Sequence, residues 1–131
     1  MIILNHPLIP APTLTPIASK ADIVTTKANE VVWFDYDLEL LRYCYDQQIL
    51  AAVHIDKASE AVYANALGAK FVTMELDLAK EVQKIAEHYL FDTKVIAMLD
   101  ERLLEKAIEM GIDGVYLTNR AMEGLSFTST S

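Results

Sequence analysis

Five short apolar runs recur along the middle of the chain, each followed by an acidic or amide residue and then by apolar residues at three- and four-residue spacing. The runs are "VVWFDY" (31–36), "AAVHI" (51–55), "KFVTME" (70–75), "KVIAML" (94–99) and "GVYLTN" (114–119). Each is too short for a helix and rich in Val, Ile, Phe or Tyr. None shows the strict alternation of a half-solvated strand, so each predicts a strand covered on both faces, as in a parallel sheet. The intervening segments carry helical stripes, Val82, Ile85, Ala86, Tyr89 and Leu90 in one and Leu103, Leu104, Ala107 and Ile108 in the next. Gly68 and Gly111 fall where a helix stops and a strand begins, the place for a residue free to adopt positive φ. Right-handed crossovers then give an α/β domain, expected as a three-layer Rossmann-like domain with a five-stranded, mainly parallel sheet.

The ends break this pattern. Pro7, Pro10, Pro12 and Pro16 are the chain's four prolines, and proline cannot donate to a central ladder. Residues 1–18 are therefore expected as a proline-rich extended arm that adds an edge strand or reaches a partner. "SKADIVTTK" reads either as a short helix capped by Ser19 or as a last extended stretch before a turn at "KANE". The single α/β domain spans 19–123, and the polar, small-residue segment 124–131 is expected to be disordered. "AAVHIDKASEAVYANALGAKFV" and "VIAMLDERLLEKAIEMGIDGVYL" repeat strand, aspartate, helix, glycine and strand in one order.

Composition narrows the function classes. The chain has 131 residues, 53% of them hydrophobic, enough for one domain with a real core. No run approaches the ~18 consecutive apolar residues of a membrane span. With 19 acidic against 11 basic residues and a net charge of −8, the scattered lysines and arginines give no footprint for nucleic acid. Cys44 alone makes no internal disulfide or cysteine-based zinc cage and reads as a small buried helix residue. The first residues lack the basic n-region of a secretory signal, so a cytoplasmic setting is expected.

Asp37, Asp56, Asp77, Asp100 and Asn119 each follow a strand and precede a helical pattern. Asp and Asn at an N-cap accept from unpaired helix N–H groups, so the column reads first as caps. Asp35 lies two residues before Asp37, and the corresponding places in the next two strands hold His54 and Glu75. Residues two apart share a face, so Asp35, His54 and Glu75 are expected as a polar row just inside the C-terminal edge of the sheet, where open α/β sheets take their ligands. A charged carboxylate there must be paired, hydrogen-bonded, metal-bound or wet. The row therefore reads as a structural pairing of His54 with a carboxylate, as a divalent-metal or acid–base site drawing on Asp37, Asp56 or Asp100, or as polar positions at a solvated edge. His54, Asp56 and Glu75 are the candidate ligand-binding residues.

"VVWFDYD" resembles the first motif of the haloacid dehalogenase-like (HAD-like) phosphatases, a strand ending in Asp-x-Asp. The resemblance implies Asp35 as nucleophile, Asp37 as general acid and base, and magnesium held by Asp35, Asp37 and Asp100, the last in "VIAMLDE". The pattern departs at the second motif, where "AAVHID" has no Ser or Thr, and at the third, where Lys80 and Lys84 are loose candidates for its lysine. A second stretch, from "GAKFVTMELD" to "GVYLTN", is similar to the last units of the glycerophosphodiester phosphodiesterase barrels, without their catalytic motifs. The resulting expectation is a non-catalytic or degenerate HAD-like binding or assembly module, as a homodimer. The alternative is a magnesium-dependent phosphohydrolase with Asp35 as nucleophile.

Overall fold

A computed structural model describes residues 1–25 and 30–118; Asn119, most of the turn at "KANE" and the expected tail at 124–131 lie outside them. All five expected strands form: β3 (Glu30–Asp35), β4 (Ala51–His54), β5 (Phe71–Glu75), β6 (Lys94–Leu99) and β7 (Gly114–Leu117). Two more come from the proline-rich arm, β1 (Ile2–Leu4) and β2 (Thr13–Pro16). The sheet is thus seven-stranded, in the order β1-β7-β6-β5-β4-β3-β2, with every pairing parallel. β1 and β2 are its two edges. Pro16 ends an edge strand, where its missing N–H leaves no gap in a central ladder, and Pro7, Pro10 and Pro12 lie in the β1–β2 connection.

This order corrects the Rossmann-like expectation. From β2 to β7 each strand lies beside the next in sequence and the direction never reverses. Right-handed crossovers that always advance the same way put every helix on the same face. Accordingly the connecting helices α1 (Leu38–Asp46), α2 (Ala58–Ala66), α3 (Leu76–His88) and α4 (Leu104–Met110) share one core with Val32, Phe34, Val53, Val72, Val95 and Val115. The opposite face forms a second core of strand residues alone: Leu4, Leu14, Val31, Trp33, Ala52, Phe71, Ile96 and Tyr116. A doubly wound sheet would bury that face under helices. Here it curls onto itself instead. The Trp33 and Tyr116 rings lie 4.9 Å apart, although β3 and β7 are four strand spacings apart, about 19 Å in a flat sheet. The domain is a parallel half-barrel, and the HAD-like architecture does not describe it.

Local rules account for the helix ends. Gly68 and Gly111 both have φ near +70°, as their places predicted. Gln48 and Leu90 take the same left-handed conformation after α1 and α3. The α3 stripe is accordingly shorter than its spacing suggests: Ala79, Val82, Gln83 and Ala86 are buried, while Tyr89 and Leu90 lie past the helix and are exposed. In α4 only Ala107 is buried; Leu103 and Ile108 are exposed. "SKADIVTTK" forms a 3-10 helix, Lys20–Thr25, whose Asp22 carboxylate accepts from the N–H groups of Ala18 and Ser19. Cys44 is buried in α1, and burial pushes its thiol up to about 11. No helix among the described residues is long and apolar enough to cross a membrane.

Candidate functional site

The inner face is apolar at its floor and polar at its C-terminal rim. Alternation sets this: Val31, Trp33 and Asp35 face inward on β3, Ala52 and His54 on β4, and Phe71, Thr73 and Glu75 on β5. In the ladder Asp35 stands opposite His54, and His54 opposite Thr73. Glu75 pairs with Met98 instead. The expected row of Asp35, His54 and Glu75 is thus Asp35, His54 and Thr73, with Glu75 two residues nearer the rim. The physical reason is an unequal set of strand–helix junctions. β3 reaches α1 through the cap Asp37, whereas β5 runs directly into α3, whose N-cap is Glu75 itself. Equal junctions, and the equal register inferred from them, do not hold around a staggered barrel wall.

Thr73 joins the row to the floor. Fully buried Trp33 donates from Nε1 to Thr73 Oγ1 at 3.0 Å, and the same oxygen lies 3.0 Å from His54 Nδ1. Beside His54, burial raises the carboxyl of Asp35 above its ordinary range; the charge of His54 opposes this, and those of Asp56 and Glu60 add to it. Asp35 is therefore suited to exchanging a proton or sharing one with a neighbour. His54, Asp56, Glu75, Asp77, Glu81 and Met98 line an open cleft of about 530 Å³ over the ends of β4, β5 and β6. The cleft is strongly acidic.

The other predicted residues have different work. Asp37 caps α1, its carboxylate accepting from the Leu40 N–H at 3.0 Å. Asp100 accepts from the Arg102 N–H at 2.9 Å and from its guanidinium at 3.1 Å, bonds that hold its carboxyl below the usual range. Asp77 lies inside the first turn of α3, and Asp56 does not cap α2; there Glu60 reaches back to the N–H groups of Asp56 and Lys57. Of the aspartate column, Asp37 and Asp100 act as caps. Among the described residues no three His, Cys, Asp or Glu side chains are grouped to hold a metal ion, so Asp35, Asp37 and Asp100 do not form the magnesium set that the Asp-x-Asp resemblance implied.

Sequence reasoning passed over Thr73, Trp33 and Tyr116. Thr73 left a trace as the one hydroxyl inside the apolar run "KFVTME", two residues before Glu75. Trp33 likewise stands two residues before Asp35, on the same face.

No family model matches the chain, and no curated protein matches it. A solved structure described as "Native KDPGal structure" matches with a TM-score of 0.55 at 21% sequence identity, covering 74% of this chain and 50% of that one. The chain thus spans about half the length of that protein. The likeness is one of fold, of a barrel-type α/β protein, and it overturns the HAD-like assignment in agreement with the strand order. The resemblance of the last units to glycerophosphodiester phosphodiesterases likewise finds no matching family.

Proposed function

We propose that the chain is a binding module that seats a small polar molecule at the C-terminal mouth of its half-barrel, against Asp35 and His54, with buried Thr73 bonded behind the His54 ring. One observation carries the reading: a polar row of Asp35, His54 and Thr73 in ladder register, the last two hydrogen-bonded, at the rim of an inner face that is otherwise apolar. The C-terminal ends of parallel strands are where barrel folds take ligands. Buried polar groups kept together at such an edge cost stability unless something answers them.

The acidic cleft argues for the ligand's character. Asp56, Glu75, Asp77 and Glu81 repel anions and favour a neutral hydroxylated molecule or one carrying an amine. That gives little support to a phosphohydrolase with Asp35 as nucleophile, since among the described residues neither a cationic phosphate clamp nor a grouped metal set faces the row. The likeness to the KDPGal structure speaks for the fold and assigns no ligand.

The test is thermal unfolding of the full chain against polyols, amines and phosphorylated sugars, with and without millimolar magnesium or manganese. A ligand at a hundred times its Kd stabilises by about 2.7 kcal/mol. The expected result is stabilisation by a hydroxylated or amine-bearing compound that is lost in Asp35→Asn and in His54→Gln. Stabilisation that needs metal and phosphate together would favour the phosphohydrolase. A gain unaffected by either substitution would move the site away from the row.

Assembly as a homodimer is proposed on a separate observation. Among the described residues β1 and β2 are the two edges of the sheet, and the loop joining them exposes Leu8 and Ile9. Unpaired edges are templates for another chain. Sedimentation of the full chain is expected to show a dimer that Leu8→Asp weakens, and a monomer at high micromolar concentration would refute it.

A further inference from the structure

Among the described residues, the Thr73 hydroxyl has two side-chain partners, Trp33 Nε1 and His54 Nδ1, each at 3.0 Å. An indole N–H only donates, so Thr73 Oγ1 accepts in the first bond. A hydroxyl has a single hydrogen to give, and at a site with no solvent exposure an unpaired donor is costly. His54 Nδ1 is the acceptor within reach.

We infer that the Trp33–Thr73 relay fixes neutral His54 as its Nε2–H tautomer, which makes Thr73 a positioning residue for the histidine at the mouth. In the opposite tautomer the Nδ1–H would point at Thr73. Its oxygen would then accept from Trp33 and His54 together, and its own hydrogen would have no acceptor. The order of bonds follows from donor inventory alone: indole to hydroxyl, hydroxyl to imidazole, and imidazole Nε2–H onward. Resting on the ligand-site reading above, a molecule meeting this ring finds a donor there, matched by a carbonyl or hydroxyl oxygen. The tautomer itself does not depend on that reading.

The test uses the full chain with ¹⁵N-labelled histidine, without ligand, so its outcome is separate from the binding titration. Long-range ¹H–¹⁵N correlation spectra are recorded well above the ordinary imidazole range, and His54 is assigned against His6 and His88 with His54→Asn. The expected spectrum shows an unprotonated Nδ1 and a proton on Nε2. Thr73→Ser, which restores the hydroxyl, is expected to keep that pattern, and Thr73→Val to turn it into a mixture. A wild-type spectrum with the proton on Nδ1, or one left unchanged by Thr73→Val, would overturn the inference. Should Thr73→Val fail to fold, the wild-type and Thr73→Ser spectra decide.

Discussion

Gly114→Ala tests how the half-barrel joins its first strand to its last. Gly114 opens β7 and stands opposite Ile2 of β1 on one side and Ile96 of β6 on the other. A Cβ built there would lie 2.7 Å from Ile2 Cβ, from the Ile2 carbonyl oxygen and from Ile96 Cδ1. The backbone φ is not left-handed, so the penalty is one of space. Overpacking of this kind costs about 1–3 kcal/mol when the neighbours shift and stay in place. If β1 is pushed off instead, fully buried Leu4 and half-buried Ile2 lose their cover, at about 1.5–3 kcal/mol for each side chain fully exposed. Either route gives a loss of at least ~1 kcal/mol, read by urea denaturation. Amide exchange separates the two: release of β1 accelerates exchange of the Ile2 N–H, bonded to the Asp113 carbonyl, ahead of global unfolding. Ile96→Val added to Gly114→Ala is expected to recover little, because two of the three contacts are with Ile2 Cβ and its carbonyl. A Gly114→Ala protein within about 0.5 kcal/mol of wild type, the range of an ordinary surface change, would refute this account of the β1–β7 contact.

Leu90→Gly is expected to stabilise the protein by up to ~1 kcal/mol, because Leu90 is 85% exposed and held at φ +55°, a conformation that costs a branched residue about 1–2 kcal/mol, offset in part by the greater freedom of glycine when unfolded; an unchanged or lower melting temperature would count against it. Asp113→Ala is expected to cost about 1–3 kcal/mol, since its carboxylate accepts from the Val95 N–H and the Gln83 amide at 2.9 and 3.1 Å and its loss leaves the buried Val95 N–H unpaired while the Gln83 amide keeps Glu87; a loss no larger than that of exposed Asp92→Ala would sink this. For Asp35 the sign follows from its raised carboxyl: the folded state holds the proton more tightly than the unfolded state, whose ordinary value is 3.8. Stability present below that value is lost as pH rises through the folded value. Asp35→Asn cannot ionise, so its stability relative to wild type is expected to climb across that acidic window and level off above it. Urea melts from pH 3 to 7 measure the difference, and a flat or falling curve would contradict the assigned burial.

Local grammar was legible, and global arrangement was not. The five apolar runs are strands, Gly68 and Gly111 end helices at positive φ, and Asp37 caps α1, because each depends on residues within one turn of itself. Strand order depends on which way each crossover advances, and a βα unit looks the same whether the next strand is laid to one side or the other. An alternating chain therefore fitted a doubly wound sheet as readily as a curled one. The arm was expected to add an edge strand, and it supplies one at each edge of the sheet. "MIIL" and "TLTP" are short and flanked by proline, and they become strands only because β7 and β3 present edges to them. The expected row differs from the observed one by two residues at Glu75, because the β5–α3 junction has no loop.

The corrected fold also answers why "VVWFDYD" carries a carboxylate inside an apolar strand. In a sheet sandwiched between helix layers, Asp35 would face a second helix and would have to be paired within a dry core, at several kcal/mol for an unpaired charge. In the half-barrel its side of the sheet meets other strands: Trp33, one pleat below on the same face, is covered by Tyr116 and sealed from water, while Asp35 is only partly buried. Two residues along one strand thus separate a closed apolar floor from an open polar rim. The change from apolar to polar recurs from Ala52 to His54 and from Phe71 to still fully buried Thr73, so three neighbouring strands turn polar at the same depth. A helix cap explains Asp37, whose carboxylate is bonded to its own helix. It cannot explain Asp35, and the shared depth of the change is why the search for a ligand belongs at that rim.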